Sequence, residues 1–394
     1  MLKVVATKQV RLGMFVQELK GAWIDHPFWK TSFKLEDPAD LKKLQASGVK
    51  QVVIDTARGL DVAELDAPVD VPAAEIKTTS KPIRISAIEE RERAKWVINA
   101  SKKAVISMFN DVRMGKVVNA EAAMQCVDDI AASVARNEGA LISLLRLKTK
   151  DDYTYMHSVA VCALMVALAR GLELSEAEIK QAGLAGLLHD IGKAGIPLEI
   201  LNKPAALTDE EFTLVRLHPE RGHALLLEAD ITDEVVLDVC LHHHEKVNGM
   251  GYPHQLKADE ISLFAKMGAV CDVYDAITSH RPYKENWEPS DSLQRMAQWA
   301  DHFDDRVFKA FVKSVGIYPI GSMVKLKSGR LAVVIDQSQK SLLTPIVKVF
   351  FSTKAKSRIP MDVLDLSKPG LQDVIIGHEN PLLWGINDVD KIWS

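Results

Sequence analysis

The sequence predicts a mainly α protein: a multi-helix bundle with a small α/β domain before it and a short β-rich module after it. Three observations carry that reading. Helix-period apolar stripes and helix-capping signals run from residue 86 to about residue 316. β-Branched segments of strand length are confined to the two ends. Ten of the twelve histidines fall between His157 and His302, so metal-capable side chains are concentrated in the helical part.

Residues 1–64 mix strand and helix signals and read as an α/β accessory domain. Gly13-Met14-Phe15-Val16 follows a turn-like position, and the segment 49–54 is β-branched and short enough for a strand. Between them, Asp37-Pro38 opens a short helix that ends at Gly48. Residues 65–85 carry Pro68, Pro72 and Pro82 with little apolar periodicity, the pattern of a linker. Residues 86–149 read as two long connecting helices, 86–117 and 120–148, with Asn119 capping the second. Residues 150–318 form an all-α domain. Within it, Ser175-Glu176-Ala177-Glu178 and Thr208-Asp209-Glu210-Glu211 match the capping box, in which hydroxyl and carboxylate satisfy the unpaired N–H groups of a starting helix. Residues 319–394 read as the β-rich module, with two strands around Ser328-Gly329 and another at 345–351. Between Lys325 and Arg358 stand eight basic residues and one acid, Asp336. Aromatics for base stacking are few there, so the segment reads as a solvated face rather than an anionic contact surface.

The chain has 394 residues, enough for two or three domains. Its 47% hydrophobic and 26% charged residues exclude wholesale disorder. Lys plus Arg number 49 against 53 Asp plus Glu, a net charge of -4 that argues against coating DNA. Cys126, Cys162, Cys240 and Cys271 lie far apart with no C-x-x-C pair, as expected of small buried side chains in a reducing cytoplasm. The N-terminal segment has no apolar core of a signal peptide, and the longest apolar run, 159–169, is too short to span a bilayer. The expectation is a cytoplasmic protein without membrane insertion.

The histidines occur where helices present apolar faces. His157 precedes Val161, Leu164 and Leu168 on one stripe, and Val236, Val239, Cys240 and His243 form another, with His244 adjacent. His189-Asp190 ends a helix that Gly192 can close, and Gly183 and Gly186 would let another backbone approach. His218 stands before Pro219 at a helix end. Ala265, Gly268, Ala269, Asp272 and Ala276 share a small-residue face that turns a carboxylate inward and calls for an inward partner. Five imidazoles and two carboxylates buried unpaired would be very unfavourable, and a metal site resolves that. Without thiolates, Fe or Mn is favoured, with Zn as a third candidate. Seven ligands exceed the needs of one ion with open positions, so two ions sharing Asp190 are expected.

The constellation resembles the HD-GYP phosphodiesterases, a subgroup of the HD phosphohydrolases, over about residues 150–315. The likeness rests on His157-Ser158, His189-Asp190-Ile191-Gly192-Lys193, His218-Pro219-Glu220 with Gly222, and His243-His244-Glu245. It continues through Asn248-Gly249-Met250-Gly251-Tyr252-Pro253, Asp272-Val273-Tyr274-Asp275-Ala276 and Arg281-Pro282-Tyr283-Lys284. Residues 1–64 are similar, through Gly13-Met14-Phe15-Val16, Trp23 and His26-Pro27-Phe28, to an uncharacterised domain that precedes the catalytic domain in some members.

The resemblance implies an HD-type catalytic bundle that hydrolyses cyclic di-GMP to linear pGpG, and on to GMP, by a metal-bridging hydroxide. The alternatives are a phosphodiesterase for 3',3'-cyclic GMP-AMP and a sensor that binds without cleaving; the complete donor set argues against the sensor. It carries over His157, His189, Asp190, His218, His243, His244 and Asp272 as metal ligands and Lys193 as the catalytic group near the scissile phosphate. Arg281 and Lys284 carry over as phosphate binders, with Tyr252 beside the substrate. Tyr153 stands where members with three metals place a glutamate, so two divalent ions are expected; Asp152 could replace it only by a register shift. Asn248 stands where many members have Asp. His242, a third consecutive histidine, points about 100° away from His243 on a helix. Besides the cyclic dinucleotide, the candidate partners are a second copy of the chain and a signalling protein.

Overall fold

A computed structural model of the chain describes residues 2–20, 33–35, 37–46, 49, 51–60, 84–147, 153–203, 205–279, 287–299, 301–338 and 341–393. Trp23, His26-Pro27-Phe28, Gly48, Asp152, Arg281, Lys284 and almost all of the expected linker lie outside them. The chain divides into two compact units, Met1–Ser80 and Lys81–Ser394.

In the first unit, β1 (Leu2–Ala6), β2 (Phe15–Lys20), β3 (Phe33–Lys34) and β4 (Gln51–Asp55) form an antiparallel sheet in the order β1-β4-β2-β3. Helix α1 (Pro38–Ala46) begins where Asp37-Pro38 predicts. Val52 and Ile54, on one face of β4, join a core with Val5, Met14, Val16, Leu35 and Leu44. The Thr7 hydroxyl donates to Val49 O at 2.7 Å, closing the sheet end.

The second unit opens with α2 (Ala87–Arg113), capped by Ser86 and Glu89, and α3 (Ala120–Arg136), capped by Asn119. Buried Glu90 of α2 accepts two hydrogen bonds from Arg136 and one from Ser133, which pins the two helices together. The expected long helix 120–148 is interrupted. Asn137 takes φ -160° and ψ 107°, and its Oδ1 accepts the Ala140 N–H to start a new helix, α4 (Glu138–Leu145). An Asx side chain that can cap outcompetes helix continuation here.

Helices α5 (Tyr153–Gly171) and α6 (Glu176–Leu188) form the centre of the bundle. A β-carbon on Gly186 would sit 2.9 Å from Val161 O, so the glycine permits the backbone approach its position suggests. By length and composition alone α5 could cross a bilayer, but 78% of Thr154–Gly171 is buried inside this fold. A 3₁₀ turn, Ile191–Gly195, follows α6. Then come α7 (Leu198–Leu201), α8 (Asp209–Arg216), α9 (His218–Glu228), α10 (Glu234–His242), α11 (Leu263–Thr278), α12 (Pro289–Gln298) and α13 (Asp305–Val315). Both capping boxes start the helices they predict, α6 and α8. All four cysteines are unpaired and buried.

The C-terminal strands β5 (Met323–Leu326), β6 (Arg330–Asp336), β7 (Ile346–Ser352), β8 (Ser357–Asp365) and β9 (Ile375–His378) form an antiparallel sheet, order β8-β7-β6-β5-β9. Helix α14 (Val389–Trp393) buries Trp393 against it. Asp336 accepts the Ala87 N–H at 3.0 Å and the Asn137 amide at 3.4 Å, joining the sheet to the starts of α2 and α4. Three of the basic residues of this module find acids further along the chain: Lys325 pairs with Glu379, Arg330 with Asp373 and Arg358 with Asp388.

Candidate metal centre

The sequence-predicted donors arrive from five helices and the turns between them. His157 points inward from the first turns of α5, and Asp272 points inward from α11. His189 caps the end of α6 before the chain bends into the 3₁₀ turn, so Asp190 lies at the bend itself. Gly192 does not close α6 with a left-handed residue as expected. A β-carbon there would lie 1.9 Å from His218 O, so the glycine instead lets this turn press on the start of α9. His218 opens α9, and His243 caps the end of α10 with His244 next to it.

The structure brings all seven donors together. His157 Nε2 lies 2.9 Å from Asp272 Oδ1 and 3.6 Å from Asp190 Oδ2, and His189 Nε2 lies 3.4 Å from the same Asp190 oxygen. The other Asp190 oxygen, Oδ1, lies 3.2 Å from His218 Nε2 and 3.8 Å from His243 Nε2. His244 Nδ1 is 3.6 Å from Asp272 Oδ2. Three donor triads, His157-His189-Asp272, His189-Asp190-His243 and His218-His243-His244, each have their ligand atoms within 4.8 Å of one another.

Each ring is turned by what its other nitrogen touches. The Nδ1 atoms of His189, His218 and His243 face the carbonyl oxygens of Gly186, Val215 and Val239 at 2.8, 2.7 and 3.0 Å. A proton held there leaves the Nε2 lone pairs facing the centre. His157 Nδ1 instead meets Asp275 Oδ2 at 2.6 Å. The contact of Asp275 with His157 is one that sequence reasoning missed; its signal is its place one turn after Asp272 on the same inward face.

Charge is balanced inside the cluster. Burial pushes the Asp190 carboxyl upward, but Lys193, His189 and His218 outweigh it and hold the group well below its ordinary range. At Asp272 the same burial is outweighed by His157 and His244. Burial and the neighbouring imidazoles hold His243 neutral, and burial pushes His244 down to about 3. Ionised carboxylates and neutral imidazoles are the forms that ligate metals. Two buried atoms, His189 Nε2 and Asp190 Oδ1, have no hydrogen-bonded partner. Buried polar atoms left without one call for a ligand, and the donor set fits a divalent metal.

The mouth is built from the remaining candidates. Lys193 Nζ donates to Asp190 Oδ2 at 2.5 Å, and its side chain is 21% exposed. The Tyr252 ring stacks on His244 with centroids 4.6 Å apart, and Arg216 lies over its face at 4.6 Å. Glu245 neither orients a ligand histidine nor makes a surface ion pair. It is buried, and it accepts the N–H groups of His254 and Leu256 at 2.7 and 3.1 Å, bracing the loop that carries Tyr252. Asn248 Oδ1 accepts the Met250 N–H at 2.9 Å, a turn contact that either Asn or Asp can make. His242 turns away from the centre, as its helical position predicts, and meets Asp238.

Residues 134–307 match the HD domain, and residues 2–123 match a domain of unknown function, DUF3391. The chain is 53% identical over 402 aligned positions to the cyclic di-GMP phosphodiesterase PA4108 of Pseudomonas aeruginosa, covering 100% of this chain and 96% of that protein. It is 39% identical over 148 residues to the cyclic di-GMP phosphodiesterase response regulator RpfG of Xanthomonas campestris, covering 37% of this chain and 39% of that protein. It is 32% identical over 167 residues to a 3'3'-cGAMP-specific phosphodiesterase of Vibrio cholerae, covering 42% and 38%. The chain belongs to the HD-GYP phosphodiesterases, metal-dependent HD phosphohydrolases, and is a member that carries the DUF3391 domain at its N-terminal end.

Proposed function

We propose that the chain hydrolyses cyclic di-GMP to linear pGpG, and on to GMP, at two divalent ions that share Asp190. One observation carries the two-ion reading: the two oxygens of Asp190 face different donor groups, Oδ2 toward His157 and His189 and Oδ1 toward His218 and His243. Asp272 would complete the first set and His244 the second. Fe or Mn suits these nitrogen and oxygen donors, with Zn the third candidate. The substrate reading is supported by the full-length relative, whose name gives cyclic di-GMP.

Two ions so held supply Lewis acidity to the phosphate and an acidified water as nucleophile. The protein's own part is positioning. Asp275 and the carbonyl oxygens of Gly186, Val215 and Val239 fix the imidazoles, so little reorganisation is needed when substrate arrives. Lys193, at the partly exposed side of Asp190, places a positive charge and a proton beside the departing 3′-oxygen. Arg281 and Lys284 are assigned to the substrate's phosphates by their motif, the first as a bidentate fork and the second as a point charge. Tyr252 walls the mouth above His244.

Asp190→Ala, assayed in parallel on cyclic di-GMP and 3',3'-cyclic GMP-AMP with added Mn or Fe, tests the proposal. The wild type should prefer cyclic di-GMP, and the variant should lose about a thousandfold or more in kcat, the several kcal/mol that metal charge compensation supplies. Unchanged turnover in the variant would remove the shared-ion mechanism. A wild-type preference for the mixed dinucleotide would reassign the substrate alone.

A further inference from the structure

A second donor pair lies on the surface beside this centre, on residues the proposed reaction does not use. His242 is the last residue of α10. Its Nδ1 lies 2.7 Å from Asp238 Oδ1, one turn earlier, and its Nε2 lies 3.0 Å from Nδ1 of His254. Asp238 is held in turn by the Ser262 hydroxyl. His254 follows the Gly-Tyr-Pro loop, and its backbone N–H is fixed on buried Glu245. The His254 ring is exposed, and 15% of the His242 side chain is.

We infer that His242 and His254 form a solvent-facing site for a late first-row divalent ion such as Ni²⁺ or Cu²⁺, with water completing its coordination. Asp238 accepts a hydrogen bond from the Nδ1–H of His242 and leaves Nε2 as a lone-pair donor, the carboxylate–histidine arrangement that orients metal-binding imidazoles. Two metal–nitrogen bonds of about 2.05 Å at a right angle span about 2.9 Å, close to the separation of the two ring nitrogens, whereas a tetrahedral ion would ask for about 3.3 Å. The pair therefore suits tetragonal or octahedral ions better than zinc. Transfer of the His254 proton from Nδ1 to Nε2 through solvent, with a small rotation of the exposed ring, converts the present hydrogen bond into convergent lone pairs. An ion held there ties the end of α10 to the loop whose Tyr252 stacks on His244, so it stiffens the mouth of the buried centre without touching substrate.

The test uses untagged full-length protein with its buried centre loaded with Mn²⁺, and Ni²⁺ alone as the probe. Equilibrium dialysis with metal analysis should find one Ni²⁺ per chain in addition to the Mn²⁺ content of the wild type, and none in His254→Gln. The glutamine amide keeps a hydrogen bond to His242 but is a poor nickel ligand. Asp238→Asn should weaken Ni²⁺ uptake by about 10–100-fold. Bound Ni²⁺ should also slow hydrogen exchange at the amides of His254 and Leu256 in the wild type and not in His254→Gln. Equal Ni²⁺ uptake by the wild type and His254→Gln would overturn the proposal, leaving the pair a hydrogen-bonded brace. So would Ni²⁺ gained one for one against Mn²⁺ lost. Asp190→Asn, which disables the buried centre, should still take up the peripheral ion, so the two sites can fail separately.

Discussion

Buried carboxylates occur in two regions of the second unit, and the fold treats them differently. In the C-terminal sheet, Asp336 accepts the N–H groups of Ala87 and Gln337 and the amide of Asn137, while Asp373 takes the Ser328 N–H and hydroxyl and Arg330. Their demand for partners is met by the protein. In the helical bundle, Asp190 Oδ1 and its neighbour His189 Nε2 are buried without a hydrogen-bonded partner, and the Nε2 atoms of His218 and His243 face each other at 3.2 Å. A fold selected for stability alone would pair such groups or replace them with apolar ones. Burial is common to these carboxylates; what separates Asp336 and Asp373 from Asp190 is whether the protein itself satisfies their oxygens.

That contrast can be broken or sharpened by substitution. The largest effect is expected at Lys193: Lys193→Ala should keep two ions per chain by metal analysis while kcat falls about 10²–10³-fold. Loss of metal instead would move Lys193 from the chemistry to the frame. Next, Asp336→Ala should destabilise the chain by about 3 kcal/mol in urea, because it leaves the N–H groups of Ala87 and Gln337 without their acceptor. The same change at Asp190, in chelator-treated protein, should cost less than that, because one of its two oxygens has no hydrogen-bonded partner to lose; equal costs would end the contrast. Asp275→Asn should weaken metal affinity by about 10–100-fold through its hold on His157, read by competition with a chelator. The smallest effect belongs to Glu138. Burial raises its carboxyl to about 7, with Arg84 and Arg170 pulling the other way. A raised carboxyl favours folding in its protonated form, so that contribution is present below pH 4.5 and is lost as pH rises through about 7. Glu138→Gln should therefore gain about 1–2 kcal/mol over the wild type at pH 8 and nothing at pH 4, by thermal or urea unfolding at the two pH values.

Much of the helical part was legible because its signals are local. Capping boxes act within four residues, so the starts of α6 and α8 could be placed from Ser175 and Thr208 alone. The donors at His157, His243 and Asp272 were legible as polar residues interrupting apolar faces. The break at Asn137 was not, because a residue that can cap also tolerates a helix interior, and the contacts of Asn137 with Ile85 and Asp336 come from distant sequence. Strand β8 escaped notice because most of it is exposed, which erases the alternation that marks a half-buried strand. Asp275 and Glu245 were underread for a related reason. Both act on groups that only the fold brings near them, His157 Nδ1 for one and the amides of His254 and Leu256 for the other.

The contact between Gly192 and His218 O has a consequence for how this centre could ever be altered. Main chain rests on main chain there, so the closest contact between the bend that carries Asp190 and the helix that carries His218 is made without a side chain that a substitution could shorten or lengthen. Exchanging donors can empty the cavity or retune its preference among ions. Resizing it for a larger ion would require moving a helix.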